Sequence, residues 1–177
     1  MRTRYKISDN VSLYFITSTI VEWLPVFTSE KYFDILIYAI KFNQQNKNFK
    51  VHAYVIMDNH FHMLASGEDL SNILSSIKSF SAKKIIEELS KDKKDWLLHQ
   101  FKFSKLLHKK ECTYQVWQEG FHPQQILTEH MLQQKFDYIH MNPVKRGLVK
   151  KPYDWRYSSA SFYYKDEPGE IEIDVPD

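Results

Sequence analysis

Cysteine is almost missing from this 177-residue sequence: Cys112 stands alone, so no disulfide can form within the chain. A reducing, cytoplasmic setting is expected. Glycine is scarce too. The four glycines, at positions 67, 120, 147 and 169, are too scattered for a loop that cradles phosphates, which excludes P-loop and dinucleotide-binding fingerprints. No run approaches the ~18 uncharged apolar residues of a membrane helix, and Met1-Arg2-Thr3-Arg4-Tyr5-Lys6 leads into no signal-like apolar stretch. No membrane partner is expected. Aromatic residues are plentiful instead, at 15%, with twelve Phe and eleven Tyr.

The net charge of +2 conceals an asymmetry. Six of the 22 acidic residues fall in the last twelve positions, so residues 1–165 carry 24 basic against 16 acidic side chains. Such a body suits a polyanion, most simply a nucleic acid, or else a solubilising surface. The length predicts one domain, residues 1–165, followed by an acidic tail, 166–177, expected to be disordered.

Residues 12–20 are rich in aromatic and β-branched side chains and read as a strand. Thr28 or Ser29 can cap a helix in which Phe33, Leu36, Ile37 and Ile40 form one apolar stripe. Residues 50–57 and 60–66 are strands joined by an Asp58-Asn59 turn, hence an antiparallel hairpin. A second helix is expected over 71–90 with Ile73, Leu74, Ile77 and Phe80 inward. Residues 91–112 are the most basic region, where Lys102, Lys105, Lys109 and Lys110 interleave with Phe101 and Phe103. Tyr114 to Gln118 reads as a fourth strand, and Thr128 caps a last helix that Pro143 should stop. This order of elements predicts an α+β, ferredoxin-like split βαβ sandwich, with an antiparallel sheet and helices on one face.

Two groups of residues can carry chemistry. Alternation along a strand sends His60 and His62 to one face and Phe61 to the other. Two such imidazoles can hold a divalent metal, or they can simply face water or hydrogen-bond separately. On the last helix Leu132, Phe136 and Ile139 form the core stripe, while Tyr138 and Asn142 lie one turn apart on a neighbouring face. Tyr138 offers a phenolic hydroxyl or an ordinary core-edge aromatic, and Asn142 offers a carbonyl oxygen that can ligate a hard metal.

The run Val55-Ile56-Met57-Asp58-Asn59-His60-Phe61-His62, followed downstream by Asp137-Tyr138-Ile139-His140-Met141-Asn142-Pro143, resembles the single-tyrosine HUH transposases. Trp117-Gln118 and Asp154-Trp155-Arg156-Tyr157-Ser158-Ser159 strengthen the likeness to their REP-associated branch. The resemblance spans about residues 12 to 160. It implies a ferredoxin-like nuclease domain in which His60 and His62 bind Mg²⁺ or Mn²⁺ and Tyr138 attacks a DNA phosphodiester. Asn142 stands where the family places a third polar ligand. Single-stranded or hairpin DNA is the implied substrate, cleaved and rejoined through a 5′-phosphotyrosine. Insertion-sequence relatives exchange the tyrosine helix in dimers, whereas the REP-associated branch completes its site within one chain, so a monomer is expected.

Lys145 and Arg146 directly follow the tyrosine helix and can reach flanking phosphates. Lys102, Lys105, Lys109 and Lys110 suit single-strand binding, or else form a solvated face over buried aromatics. Two other functions compete. A catalytically silent protein that binds repeat hairpins needs neither the histidines nor Tyr138, and a metallohydrolase of small phosphoesters needs no basic body.

Overall fold

The computed structural model describes residues 12–106 and 112–175. Four strands form one antiparallel sheet: β1 (Tyr14–Thr19), β2 (Phe49–Ile56), β3 (His60–Gly67) and β4 (Gln124–Gln125), in the order β2-β3-β1-β4. With α1 (Glu30–Asn46) after β1 and α2 (Leu70–Lys91) after β3, this is the ferredoxin-like arrangement expected. Residues 58 and 59 form the β2–β3 turn. Opposite each other in β1 and β3 stand Thr17 and His62, and Thr19 and His60.

The sheet is buried on both faces. Tyr14, Ile16, Phe61, Met63 and Ala65 point one way and join the apolar stripes of α1 and α2. Phe15, Ala53, Val55 and Leu64 point the other way and meet Ile139, with Leu132 and Phe136 beside it, on α4 (Glu129–Lys145). The expectation of helices on one face therefore holds for α1 and α2, while α4 covers the opposite face. Each fully buried large apolar side chain contributes ~1.5–3 kcal/mol, so both faces stabilise the sheet.

Several elements differ from expectation for local reasons. Residues 114–118 make only a bridge, Ile20 to Trp117, and the sheet edge beside β1 is taken by β4. Trp117 is instead a core residue, its Nε1 donating to Ser81 Oγ at 3.0 Å. Pro143 does not stop α4. It lacks the N–H that would reach the Ile139 carbonyl, yet the helix continues to Lys145, with Arg146 N–H bonded to the Asn142 carbonyl at 3.0 Å. Thr128 caps the helix as expected, accepting from the Met131 N–H at 3.1 Å. Phe80 faces solvent and packs against Tyr38, leaving the inward position to Ser81. Part of the basic region is a helix, α3 (Asp95–Phe103), anchored by buried Phe101 on the α1–α2 side.

Residues 166–175, expected to be disordered, are packed instead. Ile171 is buried, Arg156 pairs with Glu170 and Glu30, and the Asp174 N–H donates to the Val51 carbonyl at 2.9 Å. Upstream, the Ser159 N–H donates to the Tyr54 carbonyl and the Ile56 N–H to the Tyr157 carbonyl. Together these segments occupy the outer edge of β2, whose backbone groups would otherwise be unpaired. Acidic composition misleads here because Ile171 and Ile173 supply enough apolar surface to dock the segment.

Candidate active site

His60 opens β3 and His62 follows two residues on, so both project to the α4 face. Their ring centroids lie 4.7 Å apart, and both side chains are buried. Each imidazole has one nitrogen already engaged. His60 Nδ1 lies 2.7 Å from Asn59 Oδ1, and His62 Nδ1 lies 2.7 Å from Thr17 Oγ1. The Asn59 amide is oriented by its Nδ2, which donates to the Trp23 carbonyl at 2.9 Å. Its Oδ1 can only accept, so His60 Nδ1 carries the proton and Nε2 presents a lone pair. The Nε2 of His62 is buried without a hydrogen-bond partner.

That orphaned nitrogen is the observation that tests a metal. A buried polar atom left unpaired costs free energy unless a ligand claims it. Imidazoles whose second nitrogen is fixed by an outer hydrogen bond are the usual form of a metal-ligating histidine pair. The residues present fit the group. Among the described residues no cluster of three or more His, Cys, Asp or Glu exists, so the protein would offer two imidazoles and a neutral amide.

Tyr138 projects from α4 onto this pair. Its ring centroid is 5.0 Å from that of His62 and 5.9 Å from that of Phe15, both edge-on, and Phe15 itself stacks on His62 at 5.4 Å. The tyrosine is 40% exposed, so its hydroxyl is accessible. Lys145, seven residues on, places its ammonium 5.8 Å from the Tyr138 ring. Asn142 lies between them on the helix, buried, with no hydrogen bond from its side chain among the described residues. Arg146 closes the helix by pairing with Asp58 of the β2–β3 turn at 3.2 Å. Lys145 and Arg146 are thus beside the histidines. Lys102 is exposed on α3, on the opposite side of the sheet, and Lys105 follows that helix. Lys109 and Lys110 lie outside the described residues.

The sequence reading missed four contributors. Phe15 and Thr17 reach His62 only through the β1–β3 register, which nothing local encodes. Asn59 adjoins His60, and its adjacency to a turn was the available signal. Lys135, three residues before Tyr138 and therefore on the same side of α4, sets its ammonium 4.6 Å from the Phe15 ring.

Burial governs the ionisation of this face. It pushes His60 down to about 4, with the Arg146 charge acting in the same direction and Asp58 opposing. It pushes His62 down to about 3, aided by His60 and Lys135, and His140 of α4 down to about 4. All three are neutral at pH 7, as metal ligation requires of the pair. Because an unfolded histidine titrates near 6.5, the unfolded chain binds more protons than the folded one below that pH. Stability is therefore fully present above about pH 6.5 and is lost as pH falls toward 4, by roughly 4 kcal/mol per unit for three imidazoles at the steepest. Melting temperature in metal-free buffer should drop sharply between about pH 6.5 and 5. A flat profile would contradict neutral burial.

Residues 22–108 match the family model for IS200-like transposases, a stretch that contains the histidine pair but not Tyr138. Over that stretch the chain is similar to the IS200-like transposase family. This is a family of DNA-processing enzymes. The chain is 24% identical over 159 residues to a Haemophilus influenzae protein named as a candidate REP-associated tyrosine transposase, covering 90% of this chain and 84% of that one. It also superposes on the solved structure of a REP-associated tyrosine transposase bound to a REP hairpin, with TM-score 0.68 and 21% identity, covering 100% of this chain and 94% of the other. That match establishes the fold. Among the described residues no helix is long and apolar enough to cross a membrane.

Proposed function

We propose that this protein is a transposase that cleaves and rejoins single-stranded DNA by metal-assisted transesterification at His60, His62 and Tyr138. One observation carries the reading: an accessible tyrosine ring stands 5.0 Å from a histidine whose buried Nε2 has no partner. A silent DNA-binding protein has no use for either feature. The Tyr138 oxygen attacks a backbone phosphorus and forms a tyrosyl–phosphate ester on the 5′ side, while the bond to the 3′ oxygen breaks and that oxygen leaves as a hydroxyl. A second DNA 3′-hydroxyl then attacks the same phosphorus, and the tyrosine leaves. Phenol is the more acidic alcohol, with unperturbed pKa ~10, so this return step needs no external energy source.

His60 Nε2, His62 Nε2 and the Asn142 side-chain oxygen would hold Mg²⁺ or Mn²⁺. When bound, the ion supplies Lewis-acid stabilisation of the charge that builds on the phosphate oxygens. Lys145, with its ammonium 5.8 Å from the Tyr138 ring, is placed to attract the phosphate that Tyr138 attacks, and Arg146 and Lys135 attract the flanking phosphates. The REP hairpin bound in the similar structure supports hairpin DNA as the substrate. Tyr138 and the histidines belong to one chain, which favours a monomer acting in cis.

Labelled hairpin DNA, incubated with the protein and Mn²⁺ or Mg²⁺ and resolved under denaturing conditions, should give a protein-linked band and a free 3′-hydroxyl fragment. Cleavage without a linked band would support hydrolysis by water, and neither product would support binding alone. Affinity should also fall with salt, by about 0.7 log units per tenfold increase for each phosphate contacted on single strands. A flat dependence in a titration from low to physiological salt would oppose phosphate contacts by Lys135, Lys145 and Arg146.

A further inference from the structure

We infer that Trp23 is a stacking platform for a nucleobase close to the scissile phosphate. The inference rests on the proposed reading of the His60–His62–Tyr138 site, and three independent features of the chain carry it. The first is exposure. Trp23 is 56% exposed although it adjoins a buried pair of histidines, and its ring meets that of His60 edge-on at 5.7 Å. The face of an indole left open to water beside a phosphodiester site is a surface on which any base can stack.

The second is backbone strain. Glu22 and Trp23 both adopt left-handed conformations, with φ of 53° and 55°. Bulky residues seldom occupy that region, and two in succession persist only where the surroundings enforce them. The third is the enforcing contact. Asn59 donates its Nδ2 to the Trp23 carbonyl at 2.9 Å and uses its Oδ1 to fix His60 Nδ1 at 2.7 Å. The Ile20 N–H holds the Asn59 carbonyl at 2.8 Å, and the Trp23 N–H returns to the Ile20 carbonyl at 3.1 Å. A single amide therefore sets both the metal-facing imidazole and the indole. Were Trp23 a mere cover for the core, a relaxed backbone with a buried ring would serve better.

Stacking also meets a need that the rest of the site leaves open. Lys135, Lys145 and Arg146 can attract phosphates, but a cation fixes no base. An indole against one base would hold the strand in register as its phosphate approaches His60 and His62. It would not read sequence, because every base has a π face.

The test uses the full-length protein and a hairpin oligonucleotide with single-stranded flanks, carrying one abasic residue at each flank position in turn. Fluorescence anisotropy gives affinity for the wild type, Trp23→Ala and Trp23→Phe. The wild type should lose roughly 10-fold in affinity at one flank position, the worth of one base–aromatic stack. Trp23→Ala should bind the intact oligonucleotide about that much more weakly and be indifferent to the abasic residue there. Trp23→Phe should retain most of the affinity, and it carries the test if Trp23→Ala does not fold. Equal abasic penalties in the wild type and Trp23→Ala, or no penalty at any position in the wild type, would overturn the inference. Adduct formation at saturating DNA separates the two claims: a wild-type adduct with additive penalties sinks only the stacking role, while absence of any adduct sinks the underlying reading.

Discussion

Replacing Tyr138 by Phe should reduce strand cleavage and adduct formation to the limit of detection while leaving the fold and hairpin binding nearly unchanged. The substitution removes one oxygen. The Tyr138 hydroxyl makes no hydrogen bond among the described residues, and the ring, which the variant keeps, supplies the edge-on contacts to His62 and Phe15. Stability should therefore change by less than about 1 kcal/mol, the range of an unremarkable surface substitution. Tyr14, Tyr32 and Tyr54 cannot stand in for the lost nucleophile because they are buried in the core on the far face of the sheet. Single-turnover cleavage of labelled hairpin DNA, with a thermal melt of the same preparation, checks both halves of the expectation. Residual cleavage at the wild-type rate would assign the attack to water.

Loss of either histidine should be nearly as severe. If His60 and His62 share one divalent ion, His60→Ala and His62→Ala each remove half of the imidazole donor set, and several kilocalories of transition-state stabilisation go with it. Cleavage should fall by ~10³-fold or more. A graded variant separates ligation from packing. Thr17→Val keeps shape but removes the oxygen that fixes His62 Nδ1, so metal affinity and activity should fall ~10–100-fold, and added Mn²⁺ should restore activity in part. Isothermal titration with Mn²⁺, alongside the cleavage assay, gives both numbers. Undiminished metal-dependent cleavage in the double histidine variant would refute the shared ion.

What the sequence discloses depends on whether the deciding interaction is local. The stripe Phe33, Leu36, Ile37, Ile40 repeats at helical spacing, so α1 is readable from its own residues, and the β2–β3 hairpin is readable from the Asp58-Asn59 turn. The placing of His60 and His62 on one face follows from strand alternation alone. By contrast, the β4 edge is claimed by two glutamines with no strand character, because the chain passes β1 there and pairs Gln125 with Tyr14. The end of α4 lies beyond Pro143 because that residue costs only one hydrogen bond in a helix whose last turn is anchored elsewhere, by Arg146 on Asp58. The tail docks on β2 through contacts with Val51 and Tyr54, both distant in sequence.

The site divides the same way. Tyr138 is marked by its own helix face and by its resemblance to a known motif. Its approach to His62 across 76 residues of chain depends on α4 lying over the sheet, which is set by Ile139, Leu132 and Phe136 packing on Phe15, Val55 and Leu64. Thr17 and Trp23 carry no local signature, since the first depends on the β1–β3 register and the second on a strained turn.

The central claim is that Tyr138 forms the covalent link to DNA, and the decisive measurement is mass spectrometry of the adduct trapped on hairpin DNA with Mn²⁺. Trypsin releases residues 136–145 as a peptide in which Tyr138 is the sole tyrosine. After nuclease trimming, the account predicts that this peptide, and no other, carries a nucleotide joined through its 5′-phosphate. A modified peptide containing Tyr114 or Tyr153, or cleaved DNA with every tyrosine unmodified, would contradict it.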